Sequence, residues 1–357
     1  LTDGLFKLQG YEDVNIVSAS PVLLSGEGTL LSEASLSISA PVITGAAGAD
    51  YTIAARDSKL TLRGADVAAA LPAETGLAAS LLLQGASVEF AGRVVLPSGQ
   101  LRLHQVGDID DPVAGRLELA PGAVLDVAGI TQVYGPESIA TAGGSIHLQA
   151  DTGGIAVANG SLLNVSAGSE NLDAGQIGIR LDSRAMEADE TPLAVLEMSS
   201  GAILQSGSRG GRFSLDSHSL VVDGDNSGLA YSALSRLLGE GFSDRRSIRL
   251  RGQAIEHDAA LSVRAHDVRL VSDSESIVVR GTIDASGQGI ATVRENGGII
   301  MMAAGDSINI ESGAVLRARA TPDTSGNPAT GIKGGEVELV ALDADGDDPG
   351  SELDRVN

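Results

Sequence analysis

The sequence predicts an all-β chain, a right-handed parallel β-helix (solenoid) with short helical or loop excursions, and three observations lead there. Apolar residues alternate with polar ones in short runs such as Ser145, Ile146, His147, Leu148, Gln149, the period of a half-buried strand. A phrase of strand, glycine and second strand recurs as RLELAPGAVLDV around Gly122, GIAVANGSLLNV around Gly160, VLEMSSGAILQS around Gly201, SIVVRGTIDAS around Gly281 and SINIESGAVLRA around Gly313. Hydrophobic residues make up 43% of the chain but aromatic ones only 2%, so the core must be built from Val, Ile, Leu and Ala in layers that are alike.

The phrase glycines lie 38, 41, 80 and 32 residues apart, and 80 is two steps of about 40. A second marker opens a strand at Gly143-Gly144, Gly175, Gly210-Gly211, Gly297-Gly298 and Gly334-Gly335. A repeat of this length is one supersecondary unit that cannot bury its apolar face alone, so neighbours must stack. Each unit keeps the order strand, glycine turn, strand, which lays equivalent strands above one another and makes their pairing parallel. Parallel crossovers are right-handed by strong preference, and this sets the expected hand. Hairpin meanders favour Asn-Gly or Asp-Gly turns between paired strands, and sandwiches normally supply aromatic core residues.

Taken in order, residues 1–341 read as one continuous β-helical shaft. Strands are expected in VNIVSA (14–19), PVLLSG (21–26), SLSISAPVITGA (35–46) and SKLTLRGA (58–65). Residues 66–84, rich in Ala and Leu but broken by Pro72 and Gly76, read as an excursion with one or two helical turns. Strands resume at SVEFAG (87–92), VVLPSG and LRLHQVG, and from Arg116 to Leu220 the rhythm is clearest, its one soft spot being the polar loop 182–192. A third excursion spans 223–245. There Leu229, Leu234, Leu237 and Leu238 stand at helical spacing before Gly239, which predicts a short amphipathic helix covering a face or a strand edge. Strands return at SIRLRG (247–252) and ALSVRAHDVRLVS (260–272) and continue to Ala341. The acidic, apolar-poor stretch 342–357 reads as a tail or linker.

Charge and composition narrow the partners. A net charge of −23 opposes phosphate backbones and anionic lipid, so nucleic acid is not an expected partner. Cysteine is absent, which removes both a disulfide framework and thiolate chemistry. No apolar run reaches about 18 residues, so no membrane span is expected, and no signal peptide opens the chain. Beginning at Leu1 and stopping at Asn357 in mid-flow, the sequence reads as an interior fragment of something longer.

No catalytic, cofactor-binding or metal-binding residue is expected. The outward position after the core Leu or Ile holds Asp126 in one phrase, then Asn164, Gln205, Asp284 and Arg317. A position that accepts acid, amide and guanidinium within one chain reads as merely solvated. His104, His147, His218, His257 and His266 show no ligand spacing and are expected at the surface or in turns. Asp343, Asp345, Asp347 and Asp348 around Gly346 imitate the first half of a calcium loop but meet Asp354 where a bidentate Glu is required, so they read as tail. GDIDDP at 107–112 reads as a turn. Parallel coils also host polysaccharide lyases and hydrolases, which work through paired carboxylates. With no Trp, four Tyr and four Phe to stack on sugars, and no acid and base constellation placeable on one face, that carbohydrate-active reading is the alternative.

Laid out this way, SLSISAPVITGAAGADYTIAA (35–55), GGSIHLQADTGGIAVANGSLLNVSAG (143–168), SIVVRGTIDASG (276–287), DSINIESGAVLRARA (306–320) and GGEVELVA (334–341) resemble a filamentous haemagglutinin-type exoprotein, the secreted partner of a bacterial two-partner secretion system. The resemblance covers most of the chain outside the acidic tail. It implies a right-handed parallel β-helical rod that crosses the outer membrane of a Gram-negative bacterium unfolded, through a dedicated transporter recognised by a region outside this fragment. It further implies a secreted or cell-surface location and a non-enzymatic role, adhesion or the presentation of a distal part, toward a host or bacterial surface receptor the sequence does not name. The lack of cysteine suits export in an unfolded state.

Overall fold

The computed structural model describes residues 2–64, 69–107, 115–182, 194–207, 209–287, 295–321 and 332–341. Strands dominate, most of them in long parallel ladders, and the only helix among the described residues is α1, Ala230–Leu238. The chain divides into two compact units, Leu1–Arg212 and Phe213–Asn357.

Three ladders build the first unit. The first joins Gly4–Leu8, Glu27–Ser32, the front of Asp50–Arg63, the front of Ser80–Ala91, Gln100–Gln105, Ser145–Ala150 and Gln176–Leu181, all parallel. Its inward column runs Leu30, Ile53, Leu83, Leu103, Leu148, Ile179, each the register partner of the next and each buried. The second ladder stacks Leu36, Leu60, Val88, Leu117, Ile155 and Leu196 in the same way. A third, six-stranded ladder stacks Val94, Leu125, Leu163 and Leu204. Aliphatic side chains from equivalent places in the repeat therefore meet across every rung, as the recurring phrase requires. In the first ladder the step between partners varies from Leu83 to Leu103, twenty residues, to Leu103 to Leu148, forty-five.

The two glycine markers have different physical causes. Gly122 and Gly160 turn the chain between the second and third ladders at φ of +77° and +75°, a conformation other residues enter at a cost. Gly144 and Gly175 instead let backbones touch: a Cβ on Gly144 would lie 2.0 Å from Gly99 O, and one on Gly175 would lie 1.7 Å from Gly144 O. Those same carbonyls accept the bonds that start each rung, from the Ser145 and Gln176 amides at 2.9 and 3.0 Å.

The second unit repeats the arrangement. Its first ladder is Arg245–Leu250, Asp267–Ser272, Ile299–Ala304 and Glu336–Ala341, with Ile248, Leu270, Met302 and Leu339 in one column. Ile255, Ile277 and Ile308 align in the second ladder, and Val263, Ile283 and Leu316 in the third. Ile299–Ala304 departs from simple alternation, because Met301 and Ala303 are buried as well as Ile300 and Met302.

Corners where the chain leaves one ladder for the next are closed by buried glutamines, which the sequence reading did not single out. Gln105, fully buried, donates to the Ala86 and Val106 carbonyls and accepts from the Thr152 and Gly153 amides. Gln253 accepts from the Leu220 amide at 2.6 Å and donates to the Leu220, Asn226 and Ser227 carbonyls. A buried amide saturated in this way removes the penalty of orphaned backbone groups at the corner.

Three expectations need correction. Within 66–84, Ser80–Gln84 are the first residues of a twelve-residue strand, and the described residues 69–79 contain no helix. Alternation in SLLLQ outweighs its Ala and Leu content because Leu81 and Leu83 join an existing inward column. The segment 116–220 carries a second interruption, the antiparallel hairpin Thr131–Tyr134 with Glu137–Ala140, turning at Gly135 with φ of +61°. Third, Leu229 is exposed; the buried face of α1 is Ala230, Tyr231, Leu234 and Leu238, with Gly239 ending it as expected. Loop 182–192 beyond Asp182, the turn 107–112 beyond Gly107, and the tail 342–357 lie outside the described residues.

The inward columns make a direct prediction. Leu163→Asp and Val279→Asp, both at fully buried positions, should each cost about 3 kcal/mol or more by stranding a carboxylate in the core, whereas Glu118→Gln on the outer face should be nearly silent. Denaturant melts of the three variants check this, and equal midpoints would mean that inside and outside are misassigned.

Candidate functional site

The outward column after the core leucine was expected to be plain solvated surface. Its members do stack, Asp126 on Asn164 on Gln205 in the first unit and Asp284 on Arg317 in the second. Gln205 and Arg317 are exposed as expected, but Asp126, Asn164 and Asp284 are not merely solvated. Asn164 Nδ2 donates to Asp126 Oδ1 at 3.1 Å, and Asp126 Oδ1 also accepts the Ala128 amide at 3.1 Å. Asn164 Oδ1 accepts the Ser166 amide and Asp284 Oδ1 the Ser286 amide, so the same two-residue turn closes three rungs. Burial would raise the Asp284 carboxyl, but the Ser286 hydrogen bonds, with Arg264 and Arg317 on the neighbouring strands, hold it below the usual carboxylate range.

On the outer face of the second ladder in the first unit, the fold brings together charges that sequence spacing does not join. Glu89 and Glu118 are direct register partners, and Glu197 follows with Ala156 between. Lys59 Nζ lies 2.5 Å from Glu89 and Arg63 4.0 Å from it, while Arg116 pairs with Glu197. The Lys59 hydrogen bond holds Glu89 below its ordinary value, against some burial and with help from Arg63. A general acid needs the opposite displacement. Glu89 is therefore built to stay ionised, as half of an ion pair or as a base.

In the second unit, arginines and acids interleave across rungs: Arg245 and Arg269 flank Asp267, Arg249 grips Asp273, and Arg280 bridges Glu256 and Glu311. These pairs are partly exposed and worth little each. Five of the eight aromatics, Tyr51, Phe90, Phe213, Tyr231 and Phe242, are buried in the core, while Phe6 and Tyr11 are exposed.

The histidines scatter. His104 Nε2 lies 2.8 Å from Asp151, and His147 contacts Gln176. Burial lowers the titration of His147 and His218, with Arg102 and Arg251 adding to it. His257 contradicts the expected surface placement, since it is fully buried beneath α1. Among the described residues no three His, Cys, Asp or Glu side chains gather as metal ligands, and no helix is long and apolar enough to cross a membrane.

One element projects from the ladders. The Thr131–Ala140 hairpin exposes Val133 by 73% and Ile139 by 55%. Its base is tied down: Thr131 Oγ1 donates to Gly168 O, the Gly168 amide donates to Thr141 O at 2.8 Å, and Ser98 Oγ bonds Thr141 Oγ1 at 2.7 Å. Val133 pairs with Ser138 and Ile139 with Gln132, so the two exposed aliphatic side chains stand on opposite faces of this anchored hairpin. Its sequence signal, Gly135-Pro136 between two alternating runs, was readable.

No protein-family model, curated protein or solved structure matches the chain.

Asn164→Asp should be costly. It replaces a donor facing Asp126 with a second carboxylate, which removes a charge-assisted hydrogen bond and adds repulsion, together about 1–2 kcal/mol at neutral pH. Urea melts at pH 7 and pH 4 check this, with most of the deficit expected to vanish in acid. A variant as stable as the parent at both would show that the column contributes nothing.

Proposed function

We propose that each unit is a right-handed parallel β-helix and that the chain is a structural and adhesive shaft segment of a large secreted or surface-displayed bacterial exoprotein of the filamentous haemagglutinin type. The observation that carries this reading is the set of three in-register parallel ladders in each unit, whose columns join the very residues that recur in the phrase. A stack whose second unit ties arginines to acids across rungs is suited to span distance and present contacts, and Val133 and Ile139, on the two faces of the Thr131–Ala140 hairpin, supply such contacts. In this reading the protein reaches the surface of a Gram-negative bacterium through an outer-membrane transporter that engages another region of the parent, and it acts without catalysis.

The stacked Glu89 and Glu118, with Arg116 and Lys59 beside them, favour a second reading, a carbohydrate-active β-helix enzyme. Against it stand the depressed Glu89 and the burial of Phe90, the aromatic on the same strand as Glu89.

One pair of assays separates the two. Immobilised protein should retain host or bacterial cells above an albumin control, and Val133→Ser with Ile139→Ser should reduce that retention several-fold. A panel of polysaccharides should release no reducing sugar. Sugar release abolished by Glu118→Gln would replace the shaft reading with the enzymatic one.

A further inference from the structure

Helix α1 occupies a place where a strand would otherwise pair. In Ile255–His257 alternate residues point their backbone groups to opposite sides. The Ile255 amide donates to Ser276 O at 3.1 Å, toward the next rung, whereas the Glu256 amide donates to Gly228 O at 3.0 Å. Ser232, on α1, continues that side: its hydroxyl donates to Glu256 O at 2.6 Å and accepts the Asp258 amide at 2.9 Å. The helix and the chain leading into it thus satisfy a strand edge that would otherwise stand open to another chain.

Beneath this cover lies His257, with no exposed surface. Its Nε2 is 3.1 Å from Leu261 O, an acceptor, which places the ring proton on Nε2 and leaves Nδ1 as an acceptor facing Tyr231 Oη of α1 at 3.5 Å. The charged and titratable groups around it come from three elements. Its own strand contributes Glu256 and the chain just after it Asp258, but these are engaged by Arg280 and Arg236. Tyr231 and Arg236 come from α1. The strand Arg245–Leu250 contributes Arg246, itself buried near Tyr231 and bonded to the Phe242 and Gly239 carbonyls. A protonated His257 would therefore be a second buried cation with no unpaired carboxylate to meet it, and its new Nδ1 proton would confront the Tyr231 hydroxyl that now faces an acceptor.

We propose that α1 is an acid-released strap over the edge of Ile255–His257, with protonation of His257 as the event that unseats it. Burial is the largest influence on the imidazole and lowers its titration, outweighing the opposite pull of the Leu261 and Thr282 backbone and of Asp258, while Arg236 lowers it further. The sign follows from linkage. The seated state binds the proton less readily than the released state, whose histidine titrates near about 6.5. The strap is held fully above that pH, and below it the ratio of released to seated forms rises roughly tenfold per pH unit until the seated form also protonates.

Residue-resolved amide exchange on the whole chain at pH 7.5 and 5.5, corrected for intrinsic rates, tests this. The amides of α1 together with Glu256 and Asp258 should lose protection about tenfold at pH 5.5, while Ile255, bonded toward Ser276, and the strand Asp267–Ser272 keep theirs. His257→Gln should make the two profiles coincide, even though His218 in the same unit also titrates. Loss of protection at Ile255 and Asp267–Ser272 together with the helix would mean acid unfolding of the unit and would overturn the proposal, as would an unchanged α1 or a pH response retained in His257→Gln. Should that variant fail to fold, the imidazole resonances of the unmodified protein decide: His257 must titrate below its ordinary value and in step with exchange in α1, and titration without change in the helix rejects the strap.

Discussion

The structure depends on one constraint, that each residue of a rung lies over its counterpart in the next, in parallel and without slippage. A one-residue slip in any strand would turn its inward column out to water. Register is held by two devices of opposite character. Inward aliphatic columns such as Leu103, Leu148 and Ile179 reward alignment through burial, about 1.5–3 kcal/mol for each fully buried side chain. Glycines at Gly144 and Gly175 permit it, because a Cβ at either would strike the carbonyl that starts the rung.

The outer surface follows from the same constraint. Stacking places identical positions side by side, so a charge at one rung meets whatever stands at the next. Glu89 over Glu118 is a like-charge instance offset by Lys59, whereas Asp126 under Asn164 and Asp284 beside Arg317 convert the contact into hydrogen bonding or attraction. The elements that break the stack, the Thr131–Ala140 hairpin and α1, are the ones that free the chain from this bookkeeping. One offers apolar side chains to water and the other closes a strand edge.

Much of the ladder framework was legible in the sequence because period-two alternation and the glycine phrase report inward facing and turning directly. Gly122, Gly160, Asp126 and Asn164 were paired correctly from the phrase alone. What escaped has physical reasons. Composition at 66–84 favoured helix, but Leu81 and Leu83 obey columns set by residues far away in the chain. Gln105 and Gln253 read as ordinary polar residues because their role lies in corners formed by segments that are distant in sequence. His257 carried no motif, yet it holds the inward position of its strand as register partner of Val279, and α1 packs over it. The Glu89, Glu118 and Glu197 column was equally hidden, since partners separated by loops of unequal length have no fixed spacing.

Cysteine cross-linking tests the stacking most directly, since the chain contains no cysteine of its own. Partners one rung apart, Glu89 with Glu118 in the first unit and Thr282 with Val315 in the second, stand at the spacing of about 4.8 Å that a disulfide accepts. Pairs two rungs apart, Thr61 with Glu118 and Ser262 with Val315, stand about 9.6 Å apart and exceed it. Under mild oxidation the doubly substituted proteins of the first kind should close an intramolecular bond and those of the second kind should not. Closure of the second kind without the first would contradict the parallel register on which the whole account rests.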